Sequence, residues 1–91
     1  MEHELSDLAN DILNALYFVE PFERIVEECN GVNKNIVADE LKQLIAKKLV
    51  TPMRYDEVEK EYVRSFIYDT DNMNSYHYLA TKDGLLAHNG R

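Results

Sequence analysis

Ninety-one residues with a mass of 10.6 kDa make one domain, since chains divide at roughly 150 residues and upward, and a two-domain enzyme is excluded. Apolar residues make up 45 % of the chain, with only 3 Gly and 2 Pro, which suffices for one modest core and excludes general disorder. Seventeen acidic against ten basic side chains give a net charge of -7, the opposite of the basic footprint usual for an autonomous nucleic-acid binder. The charge is uneven: residues 1–33 carry eight acids and one base, 34–54 five bases and two acids, and 55–91 seven acids and four bases. The single cysteine, Cys29, cannot close an internal disulfide, which predicts a cytoplasmic chain with no need of an oxidising compartment. No stretch approaches the ~20 apolar residues of a membrane span, and the acidic start is unlike a signal peptide, so no membrane association is expected.

Leu5, Leu8, Ala9, Ile12, Leu13 and Leu16 recur at helical spacing and predict a first helix over residues 5–16, with Asp7, Asn10, Asp11 and Asn14 facing away from the core. Tyr17-Phe18-Val19 is bulky and strand-prone and predicts one short strand. Pro21 is suited to the first turn of a second helix over 21–30, whose stripe is Phe22, Ile25, Val26 and Cys29 and whose stop is Asn30-Gly31. Asn33 or Asn35 then caps a third helix over 34–48, with Val37, Leu41, Leu44, Ile45 and the stem of Lys48 on its buried stripe. Residues 49–55 read as a strand whose Pro52 argues for an edge or end position. Residues 62–69 and 76–80 alternate bulky and polar side chains about the punctuation Asp69-Thr70-Asp71-Asn72-Met73-Asn74-Ser75, and predict a hairpin with that segment as its tip. Thr81 can cap a last short helix through Gly84, Leu85, Leu86 and His88. Residues 1–4 and 89–91 are expected to fray. Leu8, Ile12, Leu16, Ile25, Val37, Leu41, Leu44 and Tyr78 are the predicted core.

That order of elements resembles the winged helix-turn-helix superfamily from Leu8 to about Leu86. Three segments carry the resemblance: Asn33-Lys34-Asn35-Ile36-Val37-Ala38-Asp39-Glu40-Leu41 is similar to the start of a recognition helix. Leu44-Ile45-Ala46-Lys47-Lys48-Leu49-Val50 is similar to the exit into the wing, with Lys48 where glycine is common. Tyr78-Leu79-Ala80-Thr81-Lys82-Asp83-Gly84 is similar to the strand that closes the wing, with Ala80 in place of leucine. The resemblance implies an α+β fold with a three-helix core and a small antiparallel sheet, and a small DNA-binding transcriptional regulator; a homodimer is expected because one acidic module of this size would bind weakly.

A recognition helix must offer base-edge and phosphate contacts. Asn35 and Gln43 have the amide geometry that pairs with adenine, Lys34, Lys42, Lys47 and Arg54 can neutralise phosphates, and Asp39 tolerates DNA only by accepting from a cytosine amino group. The competing reading is a solvated helix in a protein-interaction module. It is favoured by the net charge, the acidic first helix and the carboxylates Glu57, Glu61 and Asp71, which suit a partner with a basic surface. Homodimerisation is expected through an apolar patch extended by Leu85 and Leu86 beside the first helix. Tyr55, Tyr62, Phe66, Tyr68, Tyr76 and Tyr78 read first as core and cross-strand pairs and second as a partner-binding face. Residues 69–80 fail as a calcium loop, because Met73, Asn74 and Ala80 stand at its fifth, sixth and twelfth positions. His3, His77 and His88 are scattered, so no metal is expected; Cys29 reads as a small core residue, and no nucleophile or phosphate-loop frame exists, so neither a cofactor nor an enzyme is expected.

Overall fold

The computed structural model describes residues 5–89. The first helix, α1 (Asp7–Ala15), starts at Ser6, whose hydroxyl accepts the Ala9 N–H at 3.0 Å. Its inner stripe of Ala9, Ile12 and Leu13, followed by Leu16, is buried, while Leu8 is only half-buried. Asn10, assigned to the solvent face from its polarity, is buried instead. Its amide nitrogen donates to the Ser6 carbonyl at 3.2 Å and its oxygen lies 2.7 Å from His88 Nδ1, so a partner 78 residues away satisfies it.

Residues 17–19 form no strand: a turn at Leu16 and Tyr17 and a bend at the exposed Phe18 lead into the short strand β1 (Glu20–Pro21), just beyond the expected one. Pro21 occupies the position before α2 (Phe22–Glu28) rather than its first turn. The helix ends ahead of Gly31, whose φ of 82° uses the left-handed conformation open to glycine. Asn33 caps α3 (Lys34–Ala46) by accepting the Asn35 N–H at 2.7 Å. Lys48 was assigned a buried stem on this helix, yet it lies past the helix end, exposed and at φ 64°. It fills the left-handed position that closes a helix, where glycine is the usual residue.

Strands β2 (Val50–Asp56), β3 (Glu61–Arg64) and β4 (His77–Ala80) join β1 in one antiparallel sheet of order β1-β4-β2-β3, and α4 (Lys82–Asn89) is the last element of the described residues. The expected pairing of residues 62–69 with 76–80 is not formed. β4 inserts between β1 and β2, with Val50 opposite Ala80 and Glu20 opposite Tyr78, and β3 pairs instead with β2, Tyr55 opposite Tyr62. The hairpin tip is thus residues 57–60, where the Asp56 carboxylate accepts the Val58 and Glu59 N–H groups and Lys60 adopts φ 59°. The segment expected to be that tip returns to the core: Met73, in a single 3-10 turn (Met73–Ser75), is buried, and the Tyr78 hydroxyl donates to its carbonyl at 2.7 Å.

The core lies between the three N-terminal helices and the inner face of the sheet, centred on Ile12, Leu13, Leu16, Ile25, Val37, Leu41, Leu44, Leu49 and Tyr78. Thr81 fastens α4 to it. Its hydroxyl accepts the Gly84 N–H at 3.0 Å and donates to the Lys48 carbonyl at 2.8 Å, while its N–H donates to the Leu49 carbonyl at 2.9 Å. Among the described residues no helix is long and apolar enough to cross a membrane. Of the ends expected to fray, residues 1–4, 90 and 91 lie outside the described residues, as does His3, and Asn89 is the last residue of α4.

Candidate interaction surfaces

With Val37, Leu41 and Leu44 on its buried stripe, α3 turns Asn35, Asp39 and Gln43 to solvent, and Ile36 and Lys47 are exposed beside them. Lys34 and Lys42 sit on one flank. They line a groove of about 660 Å³ between α2, α3 and the 70–74 segment, floored by Phe22, Val26, Ala38 and Met73. Glu23, Glu27 and Asp71 line the same groove, so the lysines that were to meet phosphates share their surface with carboxylates. Lys42 Nζ also stands 3.9 Å from Asp39 Oδ1, and Glu27 is shared with Arg24 at 3.3 Å, which reaches Glu28 at 3.1 Å.

The structure therefore gathers five of the seven candidate DNA-contacting residues on α3, with Lys47 at its C-terminal cap, and leaves out Arg54. That arginine is exposed on β2 and lines a second groove, of about 740 Å³, with Asp56, Val63, Arg64, Phe66 and Tyr76. The three candidate partner-binding carboxylates separate too. Glu57 and Glu61 are exposed at the β2–β3 hairpin, whereas Asp71 belongs to the α2–α3 groove. The hairpin turn from Asp56 to Glu61 holds Asp56, Glu57, Glu59 and Glu61 against Lys60 alone. The backbone N–H groups of Glu59 and Val58 hold the Asp56 carboxyl below the usual carboxylate range, so it stays ionised in mild acid.

Of the aromatics expected in the strands, Tyr78 is on β4 and buried, while Tyr68 and Tyr76 lie between β3 and β4, half-buried and in edge-to-face contact with one another at 6.1 Å. Burial raises the pKa of Tyr78 and Tyr68 above the ordinary phenol value, so both remain neutral hydrogen-bonding groups. Tyr55 and Tyr62 lie on the outer face of the sheet, their rings 5.2 Å apart, and Tyr62 continues to His77 at 4.6 Å. This ladder was hidden in the sequence because it depends on the β2–β3 register. Phe66, read first as core or a cross-strand partner and second as part of a partner-binding face, is exposed at 86 %, and the residues sequence reasoning missed beside it are Val58 and Ile67, each exposed at 85 %. Their available signal was an adjacent apolar pair, Phe66-Ile67, that breaks strand alternation. Arg64 covers part of Phe66, 5.9 Å from its ring centroid.

Cys29 is buried against the core, and that burial first, with Asp11 and Glu28 adding, pushes its thiol up to about 11. It is not a nucleophile at neutral pH. Among the described residues no group of three His, Cys, Asp or Glu side chains converges to hold a metal ion. No protein-family model matches the chain, and neither the curated proteins nor the solved structures include a significant match to it.

Proposed function

We propose that the chain is a winged helix-turn-helix domain that works as a protein-interaction module for a partner with a basic surface. The winged-helix reading is supported by a short strand between α1 and α2 that pairs with the strand closing the wing, by the capped α3, and by Lys48 in the left-handed conformation at the exit to β2. The observation that carries the functional reading is the hairpin turn, which presents four carboxylates and one lysine at the end of the wing. A wing of that charge repels a phosphate backbone and attracts Lys- and Arg-rich protein surface.

Charge reversal tests it. Glu57→Lys and Glu61→Lys are exposed changes that leave the core intact. Each should weaken complexes captured on the immobilised protein and reduce their sensitivity to salt, and Asp71→Lys should do the same if the α2–α3 groove takes part. Capture that is indifferent to all three charges refutes the reading.

A second reading, a transcriptional regulator binding duplex DNA through α3, is favoured by the solvent-facing line of Asn35, Asp39 and Gln43, where two amides are free to meet base edges. In that reading Lys34, Lys42, Lys47 and Arg54 supply the phosphate contacts and binding is weak and readily lost as salt rises.

A further inference from the structure

β3 is an open edge. Among the described residues β2 is its only neighbour in the sheet, and its outward backbone groups can be assigned from one bond. The Ser65 N–H donates to the Pro52 carbonyl at 2.9 Å, so Ser65, and by alternation Val63 and Glu61, direct their backbone groups towards β2. Tyr62 and Arg64 therefore direct theirs away from it. Side chains alternate as well: Tyr62 lies with Tyr55 on the outer face, whereas Val63 lies opposite Arg54 on the helix side.

The three most exposed apolar side chains of this region lie at the two ends of that edge. Val58 is in the turn before β3, and Phe66 and Ile67 follow its last residue. An antiparallel arrangement of two copies about an axis normal to the sheet reverses one edge against the other. It brings Val58 of each copy to the Phe66-Ile67 end of its neighbour, so a single operation covers all three residues in both copies. We infer that the chain forms a homodimer by pairing β3 with β3 of a second copy, in the register that sets Val63 opposite Val63 and Tyr62 opposite Arg64. In this register Tyr62 and Arg64 form the hydrogen-bonded pairs, four N–H to carbonyl bonds in all, and the guanidinium of Arg64 can meet the ring of Tyr62 across the edge. The inference rests on the strand edge and its apolar ends and is independent of the partner proposed for the acidic turn. Because each copy carries -7, the dimer is expected to tighten as salt rises, the reverse of a complex with DNA.

Three measurements on the whole chain test it. Light scattering at high micromolar concentration and moderate salt should give twice 10.6 kDa; a monomer there overturns the proposal. Val63→Cys places two thiols in a non-hydrogen-bonded pair, where Cα atoms stand about 4.5 Å apart and a disulfide can close. Mild oxidation should link it into a dimer, while Leu86→Cys on α4 should stay unlinked; the opposite result would move the interface to the α1–α4 face. Tyr62→Pro removes an outward N–H while sparing the β2–β3 ladder, and Phe66→Glu charges a side chain that the isolated domain leaves in solvent. Both should return the mass to that of the monomer. Should Tyr62→Pro misfold, Phe66→Glu decides alone: a dimer persisting in that variant with unchanged circular dichroism overturns the proposal.

Discussion

Gly84→Ala sets helix propensity against packing, and the structure decides which prevails. Propensity alone favours alanine in α4 by about 1 kcal/mol. Gly84, however, is buried where α4 meets α1 and the link between α3 and β2, and a Cβ built there runs into the backbone carbonyl of Leu49, with a Leu13 methyl also close. Backbone cannot swing aside as a side-chain tip can, so α4 must lift. Lifting strains the two bonds that seat it, from Thr81 N–H to Leu49 and from the Thr81 hydroxyl to Lys48. Overpacking costs about 1 to 3 kcal/mol and each weakened bond about 1 kcal/mol, which leaves a net loss of about 2 to 4 kcal/mol after the propensity gain. Total stability for a domain of this length is about 5 to 14 kcal/mol, so the thermal midpoint should fall on the order of 10 to 20 °C. Gly31→Ala is the control: it has no atom within 4 Å of the added Cβ and should cost only the left-handed penalty of about 1 to 2 kcal/mol. Urea titration followed by circular dichroism reads both. A Gly84→Ala midpoint at or above that of the unaltered protein refutes the seating of α4 on the Leu49 carbonyl.

Leu41→Ala empties a fully buried position on α3 and should lower stability by roughly 2 to 5 kcal/mol in the same titration. Tyr78→Phe keeps the buried ring but removes the donor to the Met73 carbonyl; about 1 to 3 kcal/mol should be lost, with amide exchange rising across residues 69–75. Cys29 should resist alkylation at neutral pH until urea unfolds the domain. Its folded value of about 11 exceeds the ordinary 9, so the neutral thiol contributes stability that is complete below pH 9 and lost as pH rises to about 11, some 2 to 3 kcal/mol that Cys29→Ala should remove from the alkaline limb.

The helices were legible because each carries local signals of the right period. Val37, Leu41 and Leu44 fall on one stripe, Asn33 caps it, and Thr81 begins α4 as its hydroxyl implied. The β-hairpin was misread for an equally local reason. The turn between β2 and β3 contains no glycine; the Asp56 side chain and a positive φ at Lys60 shape it, whereas the polar run at 69–75 looks like a turn and is pinned inward by Met73 and Tyr78. Asn10 read as a surface residue because polarity predicts exposure until a partner is known, and His88 is brought to it only by the packing of α4 on α1. For the candidate site, helical spacing alone placed Asn35, Asp39 and Gln43 on the solvent face. The carboxylates beside Lys34 and Lys42 come from α2 and from residue 71, and the separation of Arg54 from them follows from the strand register, neither of which is written in the spacing of α3.

The central proposal, that the acidic β2–β3 turn and the carboxylate-lined groove direct this domain to protein and away from nucleic acid, is tested most directly by gel mobility of random duplex DNA at about 50 mM salt with the folded protein. No retardation is the predicted result, at any duplex length and also for Asn35→Ala. Retardation by the unaltered chain that Lys42→Glu abolishes and Asp39→Lys strengthens would contradict the account and establish α3 as a DNA-contacting helix.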